Sequence, residues 1–254
     1  MSSCACAVAH DPSWEEILSN WLPSFPEFLR HVADALMPHD CFVCGRNATG
    51  ACVCADCEPE LPFHPHAACP VCAIPTLDGA ACGGCLRRAP AYASTRAVFS
   101  YSFPVDRMVQ ALKYQSRLAV ATHLAGRLAR CGPPPGIDLI LPMPLHPRRL
   151  RERGFNQAVE LARPLARAWG LPLDIALARR TVDTAPQVSL PWTARRGNMR
   201  EAFSCHGTLA GRSVLVIDDV MTTGATLDAL AHVLRKHGAV RVCNLVVART
   251  LAPD

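Results

Sequence analysis

The stretch VLVIDDVMTTGAT, residues 214–226, runs four apolar residues into two adjacent acids and then into hydroxyls around one glycine. An uninterrupted apolar run marks a strand covered on both faces, as in a parallel sheet with helices above and below. Leu227, Leu230, Ala231 and Leu234 follow at helical spacing and Gly238 closes them, so the strand passes through a short loop into a helix. A helix beginning near Gly224 presents unpaired backbone N–H groups and the positive end of its dipole. Residues 222–226 are therefore predicted to cradle a phosphate, with Thr222, Thr223 and Thr226 adding hydroxyls and Gly224 and Ala225 leaving room at the main chain. Asp218 and Asp219 would repel that phosphate unless they face something else, and adjacent hydroxyls suit them. A small molecule that carries both a vicinal diol and a phosphate is a ribose 5-phosphate.

The surrounding chain supports such a sheet. AVFSYSF reads as a strand, and Val105, Met108, Val109 and Leu112 share one face of a helix. A second helix over 117–130 stops near CGPPPG. DLILPMPL is a buried strand leading into a proline-rich loop, 156–169 is a helix closed by Gly170, LDIALAR reads as a strand, and RVCNLVVAR closes the series. Alternating strands and helices with apolar runs predict an α/β domain over 95–254 built on a parallel sheet, with ligands gathering beyond the carboxyl ends of the strands.

Eleven of the fourteen cysteines precede position 86, and eight of them form four CxxC pairs. Two sulfurs of one tight turn can reach the same tetrahedral ion, and a second turn completes four thiolates. Nine residues separate the pairs within each half. The spacing predicts two structural Zn2+ sites in a double zinc ribbon over 41–90, one from Cys41, Cys44, Cys54 and Cys57, the other from Cys69, Cys72, Cys82 and Cys85. Interleaved ligation, with the first and third pairs sharing an ion, fits the same sequence, and a disulfide framework would need an oxidising compartment. Cys52, Cys4 and Cys6 are left spare. About fifty residues with few large apolar side chains cannot fold on a core alone, so metal must supply the stability. Four-sulfur sites have no open position for water, which argues against catalysis there.

Residues 1–40 form a helical segment in this reading, with Trp14, Ile17, Leu18 and Trp21 at helical spacing before Pro23 and Pro26. That segment is too acidic and too broken by proline for a secretory signal, and no apolar run is long enough to span a membrane, so a cytoplasmic location is expected. The formal charge of +5 is weak evidence for a nucleic-acid partner. All but two of the 26 basic residues are arginine, the exceptions being Lys113 and Lys236, a skew that fits a GC-rich genome.

The thirteen-residue stretch resembles the motif of the type I phosphoribosyltransferases. LPMPLHPRRLRERGFNQA, with KY at 113–114, APQVSL at 185–190 and RRGNMREAF at 195–203, behind four CxxC pairs, resembles the ComF (competence protein F) and GntX-like branch. The resemblance implies a type I phosphoribosyltransferase domain preceded by a small double zinc-ribbon module. It implies that Asp218 and Asp219 hold the ribose hydroxyls, and Thr222, Thr223, Gly224, Ala225 and Thr226 the 5-phosphate, of phosphoribosyl pyrophosphate (PRPP) bound with Mg2+. Residues 142–147 would then grip pyrophosphate, assisted by Arg148, Arg149, Arg151 and Arg153. Where purine-salvage members carry an Asp in the phosphate loop, this chain has Thr222, so no purine acid is supplied; Asn198 and Phe203 are candidates to line a base site. The same branch implies natural competence and DNA uptake. Two uses follow: phosphoribosyl transfer to an acceptor the sequence does not specify, or a non-catalytic adaptor that binds single-stranded DNA or the transformation machinery and uses the PRPP site for regulation.

Overall fold

The computed structural model describes residues 40–48, 50–182 and 202–251. The expectations for Trp14 to Pro26, Cys4, Cys6, APQVSL, most of RRGNMREAF and Asn198 lie outside the described residues. The chain divides into two compact units, Met1–Cys54 and Ala55–Asp254. In the first, Asp40 bridges Asn47, and the Cys41 amide donates to the Arg46 carbonyl at 2.7 Å. Gly45, at φ 72°, turns that knuckle back on itself.

The second unit is built on four parallel strands: β1 (Ser94–Ser100), β2 (Leu139–Pro142), β5 (Ser213–Met221) and β6 (Arg241–Arg249), in the order β1-β6-β5-β2. Each connection between parallel strands carries helices: α2 (Val105–Gln115) and α3 (Leu118–Ala129), α4 (Pro147–Arg153) and α5 (Gln157–Trp169), and α6 (Ala225–Lys236). A five-residue helix, α1 (Gly83–Arg87), lies in the cysteine-rich segment. The central strand β5 is buried at every position but Val220, which explains its apolar run.

Side chains alternate across a strand, so β5 feeds two cores. Val214 and Val216 join Leu227, Leu230 and Leu234 of α6, with Leu139 and Leu141 of β2 and Val242 and Val246 of β6. On alternation, Leu215 and Ile217 face the other layer, where α5 packs on β2 and β5, and α3 on α5 and β6. The helical stripe read from the sequence, Val105, Met108, Val109 and Leu112, is fully buried on α2.

One expectation needs correction. LDIALAR meets the main sheet only at Leu173, which bridges Ile140 of β2 in parallel. Asp174 then accepts from the amides of Ala176 and Leu177, which turns the chain, and β3 (Ala178–Arg180) pairs antiparallel with β4 (Phe203–Cys205) instead. The loop after DLIL runs to His146 and leads into α4, started by Pro147 in its first turn and by His146, whose Nδ1 accepts from the Arg148 amide.

Two glycines separate backbone necessity from propensity. Gly238, after α6, sits at φ 99°, and a Cβ there would lie 3.0 Å from the Ala210 backbone. Gly126, in the middle of α3, has open space around a Cβ. Gly238→Ala is expected to destabilise by about 1 kcal/mol or more, and Gly126→Ala to stabilise by about 0.5–1 kcal/mol. Urea unfolding of both variants checks the opposite signs.

Candidate functional site: paired carboxylates and two cysteine clusters

Asp218 and Asp219 end the buried run of β5 at the carboxyl edge of the sheet, and both are buried, at 8% and 4% exposure. Alternation sends them to opposite faces. Asp219 meets Lys113 at the end of α2, with Nζ 2.8 Å from Oδ2. Burial disfavours the Lys113 ammonium, but Asp219 first and Asp218 after it outweigh that, so its pKa is held above the ordinary value. Asp218 receives the Asp219 amide on Oδ1 at 2.9 Å and feels the positive charge of Arg180 from β3. Burial, then the neighbouring Asp219 charge, pushes Asp218 up to about 7. Asp218 Oδ2 and Asp219 Oδ1 keep no hydrogen-bond donor among the described residues.

Beyond the acids the chain turns through exposed Thr222 and Thr223 to Gly224, whose left-handed conformation (φ 79°, ψ 0°) caps α6. A Cβ at Gly224 would lie 2.8 Å from Tyr92 Oη and 2.5 Å from Met221 Cε, so no other residue fits. Thr223 Oγ1 accepts from the Ala225 amide at 3.3 Å. The amides of Thr226 and Leu227, at the positive end of a twelve-residue helix, have no acceptor among the described residues.

The arginine-rich segment divides in two. Arg148, on the exposed face of α4, pairs with Glu152 at 2.9 Å, one helical turn on. Arg153 instead packs against the end of α2: its guanidinium lies 5.5 Å from the ring of Tyr114, the residue after Lys113, and donates to Gln157. Asn156 caps α5 through the Ala158 amide and holds the Met143 carbonyl at 3.0 Å, which fixes the loop after β2. Phe203, a candidate for a base site, is buried under Arg180, 5.7 Å from its ring. Sequence reasoning gave Lys113 no role beyond its resemblance and missed Arg180, because neither lies in a local pattern that points to the acids.

The eight CxxC cysteines form two groups, Cys41, Cys44, Cys54 and Cys57, and Cys69, Cys72, Cys82 and Cys85, each with its sulfurs within 4.8 Å of one another. The pairing is consecutive rather than interleaved, all eight are unbridged, and Cys52 stays outside. Tetrahedral Zn2+ with bonds of ~2.3 Å sets sulfurs ~3.8 Å apart. Cys44 and Cys54 stand at 3.8 Å and Cys72 and Cys82 at 3.6 Å, so both groups fit Zn2+. Burial opposes ionisation of Cys69, but backbone amides at Cys82, Cys72 and Val71 outweigh it and bring the thiol to about 7. At Cys85, burial and then the Cys72 sulfur push the thiol up, so the fourth thiolate needs a cation.

Two outcomes follow. Protein purified under reducing conditions is expected to carry about two zinc ions per chain by metal analysis, falling by one in Cys82→Ser and by none in Cys52→Ser. Because the folded state holds the Asp218 proton up to about 7, while the unfolded chain releases it near ~4, stability falls as pH rises through that window. Asp218→Asn is expected to raise Tm at pH 8 by about 2–4 °C, the shift that ~1 kcal/mol gives in a chain of this size. The gain should shrink towards pH 6; thermal unfolding at the two pH values checks it.

Comparison with known proteins agrees with both halves of this geometry. Residues 32–86 match the double zinc ribbon domain family and residues 153–252 the phosphoribosyl transferase domain family. The DNA utilization protein YhgH of Escherichia coli O157:H7 is 34% identical over 191 residues, 72% of this chain and 84% of the relative. Competence protein F of Haemophilus influenzae is 30% identical over 75% of this chain and 87% of its own. Competence protein ComFC of Bacillus subtilis is 26% identical over 78% and 84%. With Cys4 clusters where the first domain matches and the paired acids of a parallel sheet where the second does, this chain belongs to the competence protein F and YhgH family, a double zinc ribbon joined to a phosphoribosyl transferase domain.

Proposed function

We propose that this chain binds PRPP with Mg2+ at the carboxyl edge of β5 and that the bound state serves DNA utilisation, the role in the names of its relatives YhgH and competence protein F. One observation carries the reading. Two buried carboxylates, each with an oxygen to spare, directly precede a glycine-capped helix start whose Thr226 and Leu227 amides lack acceptors. Hydroxyl donors and an anion are the complementary chemistry.

In this reading Asp218 and Asp219 accept from the ribose hydroxyls, and residues 222–226 clasp the 5-phosphate. Lys113 pairs with Asp219, and the charges of Lys113 and Arg180 oppose the upward push on Asp218. Arg153, held by Tyr114 and Gln157 near the end of α2 that carries Lys113, is the arginine taken to assist pyrophosphate, while Arg148 is engaged with Glu152. Mg2+ would enter with the pyrophosphate, held by ligand oxygens and water. Thr222 offers no acid for a purine acceptor, so the reading stops at the donor.

A second reading, single-strand binding, is favoured by Tyr114, whose ring is 74% exposed beside Arg153. An exposed aromatic with a stacked arginine is a platform for a nucleobase.

Calorimetric titration separates these. PRPP-Mg is expected to bind the wild type and to lose at least about tenfold in affinity, ~1.4 kcal/mol, in Asp218→Asn with Asp219→Asn, the circular dichroism spectrum being retained. Undiminished affinity contradicts the site. A single-stranded oligonucleotide that binds tightly, with steep salt dependence lost in Tyr114→Ala, would establish the second reading instead.

A further inference from the structure

The second cysteine cluster and the loop that follows the acids share one buried arginine. Arg249, the last residue of β6, is 5% exposed. Its Nε donates to the Cys72 carbonyl at 2.9 Å, and its Nη1 to the carbonyls of Met221, at 3.3 Å, and Thr222. None of the ion pairs among the described residues involves it. A guanidinium buried without a carboxylate is costly unless its donors are satisfied and its charge is offset. Main-chain carbonyls answer the first need. Four thiolates around Zn2+ carry a net charge of about −2, which answers the second.

Two further contacts join the same parts. Tyr92, buried in the core cluster that contains Cys69, Cys72 and Met221, sits so close under Gly224 that no Cβ fits between. Asp228, in the first turn of α6, accepts from the Ala91 amide at 2.6 Å. The turn bearing Cys72 therefore abuts the loop from beneath, and Arg249 is the group bonded to both.

We infer that Arg249 is a positioning residue that fixes residues 221–224, making the order of the phosphate loop depend on the second cysteine site. The inference rests on reading residues 222–226 as a phosphate loop only for its effect on ligand affinity; its effect on loop order stands apart from that reading. With Arg249 in place, the carbonyls of Met221 and Thr222 are tied inward and amides at the start of α6 remain directed to the ligand. Without it, the Thr222 carbonyl loses its side-chain donor and the Met221 carbonyl keeps only the Thr250 amide, so the turn is less firmly held.

Arg241 provides a matched control. It lies at the other end of β6 and likewise donates to loop carbonyls, those of Pro135 and Gly136, the latter at 3.1 Å. Hydrogen exchange of peptides covering 221–227, zinc content and PRPP-Mg affinity are measured on wild type, Arg249→Gln, Arg249→Lys, Cys85→Ser and Arg241→Gln. Arg249→Gln is expected to keep two zinc ions while the loop amides exchange at least tenfold faster and PRPP-Mg affinity falls at least tenfold. Arg249→Lys should restore most of the protection, since an ammonium keeps the charge and can reach carbonyl oxygens. Cys85→Ser should lose one zinc and match Arg249→Gln at the loop, and Arg241→Gln should leave the loop as in the wild type. Loop exchange within twofold of wild type in Arg249→Gln, or equal acceleration in Arg241→Gln, overturns the inference. Should Arg249→Gln not fold, Arg249→Lys and Cys85→Ser decide on the same exchange readout: loop protection near the wild type for the lysine variant with acceleration in Cys85→Ser supports it, and wild-type protection in Cys85→Ser overturns it. A wild type that does not bind PRPP-Mg removes the proposed function and leaves the exchange results to judge this inference alone.

Discussion

Two carboxylates side by side at the end of a buried strand are the constraint on which the rest of the second unit depends. Each costs several kcal/mol to bury as an ion, and together they repel. The fold answers with cations: Lys113 of α2 pairs with Asp219, and the charges of Lys113 and then Arg180 act on Asp218. Burial still wins in part, which is why Asp218 keeps its proton well above the ordinary carboxylate range. Such an arrangement is a poor way to stabilise a sheet and a good way to hold hydrogen-bond donors that arrive from outside.

The half of the site proposed to take an anion uses the backbone rather than side chains. Gly224 is required by its left-handed conformation and by the closeness of Tyr92 and Met221, and it opens α6 without a side-chain cap, leaving amides unanswered. A helix start left uncapped by its own chain is stable when something else supplies the acceptor. The cysteine clusters act on this arrangement as structure, since four sulfurs close the coordination of each ion, yet the second of them reaches the loop through Arg249.

Much of this was legible in the sequence because it is local. The apolar run before Asp218, the stripe on α6, the Val105 to Leu112 stripe of α2 and the spacing of the CxxC pairs each follow from period or turn geometry within a few residues. The consecutive pairing of cysteines followed from the same spacing, although interleaving also suited it, and the two clusters have it. Lys113, Arg180, Tyr92 and Arg249 had no such signal, since their partners lie far along the chain and their own surroundings in sequence look like ordinary strand and helix ends. LDIALAR failed as a main-sheet strand because the Asp174 side chain competes for backbone amides and turns the chain. Helix α4 was hidden by its proline, which reads as a loop signal and serves here as a first-turn residue.

The central claim is that one ligand spans the acids and the helix start together. A crystal structure of the protein soaked with ribose 5-phosphate and Mg2+ tests it most directly. The account predicts ribose hydroxyls within hydrogen-bond distance of Asp218 and Asp219, and the phosphate on the amides of Thr226 and Leu227. A sugar phosphate bound elsewhere, or a loop at 222–226 that stays empty at saturating ligand while Asp219 contacts only Lys113, would contradict it.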